Sequence, residues 1–116
     1  MWVIGHRGAC GHVPENTLTS FRRALELGAD GVELDVHLCA SGEPVVIHDD
    51  TLDRTTNGTG FVREKTLTEL QGLSAGGVGH VPGLAEVLDV LDKRGKVFIE
   101  VKADEAALPT AYLVEW

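Results

Sequence analysis

Apolar residues fall along this chain in two rhythms, and the change from one to the other marks out its elements. Val32, Leu34 and Val36 alternate with Glu33 and Asp35, the period-two pattern of a strand with one dry face. This run reads as a strand from Gly31 to Leu38. Three other short runs rich in Val and Ile predict strands at Trp2 to Gly5, Pro44 to His48 and Lys96 to Lys102. The helical rhythm takes over after Pro14-Glu15-Asn16-Thr17, a start signal with a proline and a capping residue. Leu18, Phe21 and Leu25 then share one helical face, and Gly28 closes the helix. Thr66 and Glu69 have capping-box spacing for a second helix, which Gly72 keeps short. Leu84, Val87, Leu88 and Leu91 form the stripe of a third, from about Leu84 to Lys93, stopped by Gly95. Asp104 to Leu108 opens a fourth that Pro109 is expected to break. Ala111 to Trp116 carry no clear pattern.

Strands separated by helices predict parallel βα units, hence an α/β fold. The link from Leu38 to Pro44 is the exception. It contains Ser41-Gly42 and suits a hairpin at least as well as a crossover, which takes a dozen residues or more.

The polar positions carry the chemistry. Glu33 and Asp35 lie two apart on one strand and project together. His6-Arg7, His48-Asp49 and Glu100 with Lys102 lie at the ends of the other three strands. In an α/β barrel that end holds the active site. Glu33, Asp35 and Glu100 suit one divalent cation, Mg²⁺ or Ca²⁺, which prefers oxygen ligands. Arg7 and Lys102 suit an anionic substrate, Arg7 through its planar fork. His6 and His48 suit the roles of acid and base around a scissile bond. His37 shares the face of Glu33 and Asp35, between a supporting role and none. His12 and His80 read as surface residues, Asp49 and Asp50 as fixing the following turn, Arg54 as bracing it, and Cys10 as packing.

Ten basic against eighteen acidic residues give a net charge of −8, which argues against nucleic acid or an anionic membrane surface as partner. Two cysteines are too few for a disulfide framework and predict free thiols in a reducing compartment. No apolar stretch approaches the ~20 residues of a transmembrane segment, and Trp2-Val3-Ile4 leads directly into His6, leaving no room for a secretory signal. The expected location is cytoplasmic.

Taken in order, Gly5-His6-Arg7-Gly8, Pro14-Glu15-Asn16-Thr17, Gly31-Val32-Glu33-Leu34-Asp35-Val36, the run from Val46 to Gly58, Val81-Pro82-Gly83-Leu84 and Ile99-Glu100-Val101-Lys102 resemble the glycerophosphodiester phosphodiesterase family. The resemblance implies a TIM-type barrel, and hydrolysis of small glycerophosphodiesters to glycerol 3-phosphate and an alcohol with a divalent cation. It makes His6 and His48 the acid/base pair, Glu33, Asp35 and Glu100 the metal ligands, and Arg7 and Lys102 the phosphate-binding residues. Gly83 departs from the threonine more often found there.

A (β/α)₈ barrel takes about 250 residues, and this chain has 116. It is read as one domain over residues 1–116, truncated to the first half of a barrel with about four strands. Such a half exposes strand edges, and two copies paired as a homodimer would close it. Two other readings stay open: a non-catalytic metal-binding half-barrel, and a phospholipase D-like enzyme acting on lipids.

Overall fold

The computed structural model describes residues 1–114; Glu115 and Trp116 of the unassigned C-terminal run lie outside them. Four strands and four helices follow in the order β1 (Ile4–His6), α1 (Leu18–Glu26), β2 (Gly31–Leu38), β3 (Pro44–Val46), α2 (Leu67–Gln71), α3 (Leu84–Leu91), β4 (Lys96–Val101) and α4 (Ala107–Val114). Single 3₁₀ turns precede α2 and α4.

β2 is the hub of the sheet. It runs parallel to β1 from the pair Ile4/Gly31 to His6/Glu33, and parallel to β4 from Gly31/Lys96 to Val36/Val101. It runs antiparallel to β3, with Val36 opposite Val46 and Leu38 opposite Pro44. Val36 therefore has a partner on each side, which puts β3 and β4 on opposite edges of β2. The open question of the Leu38–Pro44 link closes here as a hairpin, since five residues cannot carry a parallel crossover. Three of the strands thus run parallel, and β3 folds back along the end of β2. His48 consequently does not sit at the end of a parallel strand. It reaches the level of Asp35 because the chain runs back beside β2 after Val46, where Ile47 N–H donates to the Asp35 carbonyl at 3.0 Å.

One face of the sheet is dry. Val32, Leu34 and Val36 are fully buried against Phe21 and Ala24 of α1 and Leu84, Val87 and Leu91 of α3. The helices that cover them start where the sequence says. The Thr17 hydroxyl accepts Ser20 N–H at 3.1 Å and Ser20 Oγ accepts Thr17 N–H at 3.2 Å. Thr66 and Glu69 exchange the same pair of bonds at the head of α2. α3 stops at Leu91 rather than Lys93, because Asp92 itself turns left-handed (φ 47°). Pro109 does not break α4. It lies in the first turn, where its missing N–H would have no acceptor within the helix.

A second, smaller core lies beyond β3. Val45 and Ile47 meet Leu52, Val62, Leu70 and Val81 there, so the segment from 51 to 81 packs on a foundation of its own.

The opposite face of the sheet is open. Residues partnered across a sheet project to the same side, so Ile4 and His6 share a face with Glu33 and Asp35 and with Phe98 and Glu100. Phe98 is 41% exposed and Trp2 58%, their rings 6.1 Å apart and the Trp2 ring 4.2 Å under Lys96 Nζ. That face carries an apolar patch at one end and a charged rim at the other.

Candidate active site

Gly8 begins the site. With φ +82° it turns the chain sharply after β1, and its α-carbon lies so close to Ser20 of α1 that a methyl group would overlap it. Arg7 just before it is also left-handed (φ 52°). This turn folds Arg7 back over the end of β2, where its N–H donates to Glu33 Oε1 at 3.3 Å.

Glu33, Asp35 and Glu100 converge as predicted, each offering a carboxylate oxygen within 4.8 Å of the others. Register explains this, since Asp35 is the direct partner of Glu100 across the parallel ladder. Asp35 is 1% exposed and heavily supported. Arg7 Nε lies 3.4 Å and Lys102 Nζ 3.8 Å from its two oxygens, and Asn16 Nδ2 donates to Oδ2 at 3.0 Å. Lys102 Nζ also donates to Glu100 Oε1 at 2.8 Å. That bond holds the Glu100 carboxyl below its ordinary range and raises the Lys102 ammonium. Glu33 moves the other way, pushed up first by loss of water and then by the charge of Asp35.

The two histidines come from different segments, His6 from the end of β1 and His48 from the chain after β3. His6, exposed, points Nε2 at Glu33 Oε1 from 3.8 Å. His48 is half-buried; its Nδ1 meets Asp49 Oδ1 at 2.8 Å, and its carbonyl accepts from His37 Nε2 at 2.9 Å. His48 lies within electrostatic reach of Glu100. His37 is thus a brace for the His48 backbone.

A hard divalent cation fits this arrangement. The donors are all carboxylate oxygens, Glu33 is short of water and lies beside the like charge of Asp35, and buried Asn16 leaves its Oδ1 without a hydrogen-bond partner beside Asp35. Glu33→Gln is accordingly expected to raise Tm by a few degrees at pH 7 in chelator, because it removes a like charge. A carboxyl with a raised folded value stabilises below its ordinary pKa and loses that contribution as pH rises through the folded one. The gain should therefore vanish at pH 4. Thermal unfolding in chelator and in Mg²⁺ or Ca²⁺ checks this: the cation should raise the wild-type Tm and move the variant little.

Two residues escaped the sequence reading. Glu15 and Asn16 look like a helix start, but α1 is capped by Thr17, and the two before it turn inward. Asn16 is 4% exposed with φ 54°, and Glu15 accepts from both Arg7 and Arg54. Asparagine is the side chain that best tolerates such a backbone after glycine; a buried one beside an acidic strand was the available signal. Cys10, expected to pack, is exposed, and both cysteines are free. His12 is exposed as expected, whereas His80 pairs with Glu86 at 2.7 Å. Among the described residues no helix is long and apolar enough to cross a membrane.

Comparison with known proteins gives one answer. Residues 6–111 match the model of the glycerophosphoryl diester phosphodiesterase family. A glycerophosphodiester phosphodiesterase of Caldanaerobacter subterraneus is 50% identical, over 92% of this chain and 47% of its own length. Human glycerophosphodiester phosphodiesterase 1 is 38% identical over 86% of the chain and 33% of its own. An Oleispira antarctica phosphodiesterase, solved in complex with the product sn-glycerol-3-phosphate, superposes with a TM-score of 0.92 at 35% identity, over 98% of this chain and 51% of that one. The Thermotoga maritima glycerophosphodiester phosphodiesterase gives 0.90 at 35% identity, over 99% and 50%. The chain spans between a third and about half the length of these relatives, the part that opens their TIM-type barrel, and its sheet is partial and unclosed. By motif, fold and register, this chain belongs to the glycerophosphoryl diester phosphodiesterase family.

Proposed function

We propose that the chain carries the catalytic rim of a metal-dependent phosphodiesterase that hydrolyses glycerophosphodiesters to glycerol 3-phosphate and an alcohol. The observation that carries this is the meeting of Glu33, Asp35 and Glu100 within 4.8 Å, with His6 Nε2 3.8 Å from Glu33. Glu33, Asp35 and Glu100 would hold Mg²⁺ or Ca²⁺, which when bound polarises a phosphoryl oxygen and stabilises developing charge. Water attacks phosphorus and the bond to the alcohol oxygen breaks. One of His6 and His48 takes the proton from the water, and the other gives a proton to the leaving oxygen. His48 is prepared for this: Asp49 accepts its Nδ1–H, which leaves Nε2 free. Arg7 and Lys102 flank Asp35 and supply positive charge for the substrate phosphate.

A second copy pairing edge to edge with this one would close the sheet into a barrel. The exposure of Trp2 and Phe98 and the unpaired outer edges of β1 and β4 support that homodimer. The same exposure supports the competing reading of a metal-binding half-barrel without turnover, because His6 and Glu100 face solvent. Two free thiols accord with a reducing compartment such as the cytoplasm.

Release of glycerol 3-phosphate from glycerophosphocholine, measured on a sample of known solution mass, tests all of this. A dimer with turnover that chelator abolishes is the expected result. Cation binding without turnover would leave only the half-barrel reading, and cleavage confined to intact lipid vesicles would favour a phospholipase D-like substrate.

A further inference from the structure

Arg54 lies in the turn-rich segment after β3, 39 residues from Glu15 in sequence, yet one guanidinium grips both that residue and Asp49. Nε donates to Asp49 Oδ2 at 2.8 Å and Nη2 to Asp49 Oδ1 at 3.0 Å. Nη1 and Nη2 donate to the two oxygens of Glu15 at 3.0 and 2.9 Å. Four of the five N–H bonds of the fork are thereby used on two carboxylates. Each carboxylate then holds a residue of the rim. Asp49 Oδ1 meets His48 Nδ1 at 2.8 Å, and Glu15 meets Arg7 Nη1 at 3.3 Å. Arg7 and Asn16 are bound to each other through Asn16 N–H and the Arg7 carbonyl at 2.9 Å, so fixing Glu15 fixes the whole turn after β1.

We propose that Arg54 is a positioning residue that locks His48 in register with the turn after β1. This rests on the reading of His48 as acid or base. The turn after β1 belongs to one core and the segment carrying Arg54 to the other, and Arg54 is a charged bridge between them. The fork also holds the tautomer. With both oxygens of Asp49 gripped and its carboxyl kept well below the ordinary range, Asp49 only accepts, so the ring proton of neutral His48 stays on Nδ1 and the lone pair on Nε2. A lysine cannot replace this grip, because a point charge with three donors does not clamp two planar carboxylates. With half of the Arg54 side chain in solvent, its electrostatic contribution to folding is screened, so alignment is what its loss would show.

The test compares Arg54→Ala, Arg54→Lys and Glu15→Gln in the 116-residue chain. Arg54→Ala should lower kcat about 10–100-fold, the usual cost of losing an outer partner of a reacting group, with KM within about twofold. Arg54→Lys should recover little, millimolar methylguanidinium should restore much of the Arg54→Ala turnover, and Glu15→Gln should show a weaker loss of kcat. Imidazole ¹⁵N spectra give a second reading that needs no turnover. The Nδ1–H form of neutral His48 should dominate in wild type and give way to a tautomer mixture in Arg54→Ala. If wild type does not turn over, the acid/base reading fails and the spectra alone decide the positioning role. Unchanged His48 tautomers, unchanged kcat in an active protein, or full recovery with lysine would each overturn it.

Discussion

His48→Ala is expected to cut turnover of glycerophosphocholine by about 10²–10⁴-fold, the range a single positioned acid or base contributes, while leaving cation affinity within about twofold. The two halves of that expectation have separate grounds. His48 supplies no oxygen to the carboxylate cluster, so its removal leaves Glu33, Asp35 and Glu100 as they stand. The loop that carries it also survives. Asp49 loses the imidazole, but Arg54, the larger cause of its lowered pKa, still holds both its oxygens, and the His48 carbonyl keeps its bond from His37. Titration calorimetry with Mg²⁺ or Ca²⁺ on wild type and variant, beside the coupled assay, separates the effects. Full turnover in His48→Ala would remove it from the chemistry. A parallel loss of cation binding would mean that it shapes the metal site instead.

Phe21→Ala should cost about 3–5 kcal/mol, the range for emptying an aromatic site in a packed core. Phe21 is 0% exposed and sits between α1 and the dry face of β2, in contact with the cluster that holds Val32, Leu34 and Val36. Small domains hold only about 5–15 kcal/mol in total, so this one change should remove a large share of the stability and lower the urea midpoint strongly. Phe98→Ala is the natural control. Phe98 is on the wet face at 41% exposure, and in an isolated chain its loss should cost under about 1 kcal/mol. Urea unfolding of both variants decides whether the face is open. An equally large loss at Phe98 that grows with protein concentration would mean that a second copy covers it.

Much of the site was legible because strands have period two. Glu33 and Asp35 must share a face, and register then requires only that β4 align Glu100 with Asp35. The residues beside them were harder. Glu15 and Asn16 are indistinguishable in sequence from an ordinary helix start, because the left-handed turn at Asn16 that sends them inward depends on the close approach of Gly8 to Ser20. Arg54 was readable as a loop brace but not as a link to Glu15. A contact across 39 residues forms only after both cores have packed.

By itself, then, the sequence determined the first three helices, the strands and the family, since these follow from local periodicity, capping residues and ordered motifs. It also determined which side chains could bind a cation or move a proton. Tertiary structure alone decided that His48 returns to the level of Asp35 beside β2, and that one guanidinium joins the turn after β1 to His48. The reason is physical: periodicity fixes which way a side chain faces along its own strand. Which strand lies beside it, and in what direction, is fixed by the burial of surfaces far apart in the chain.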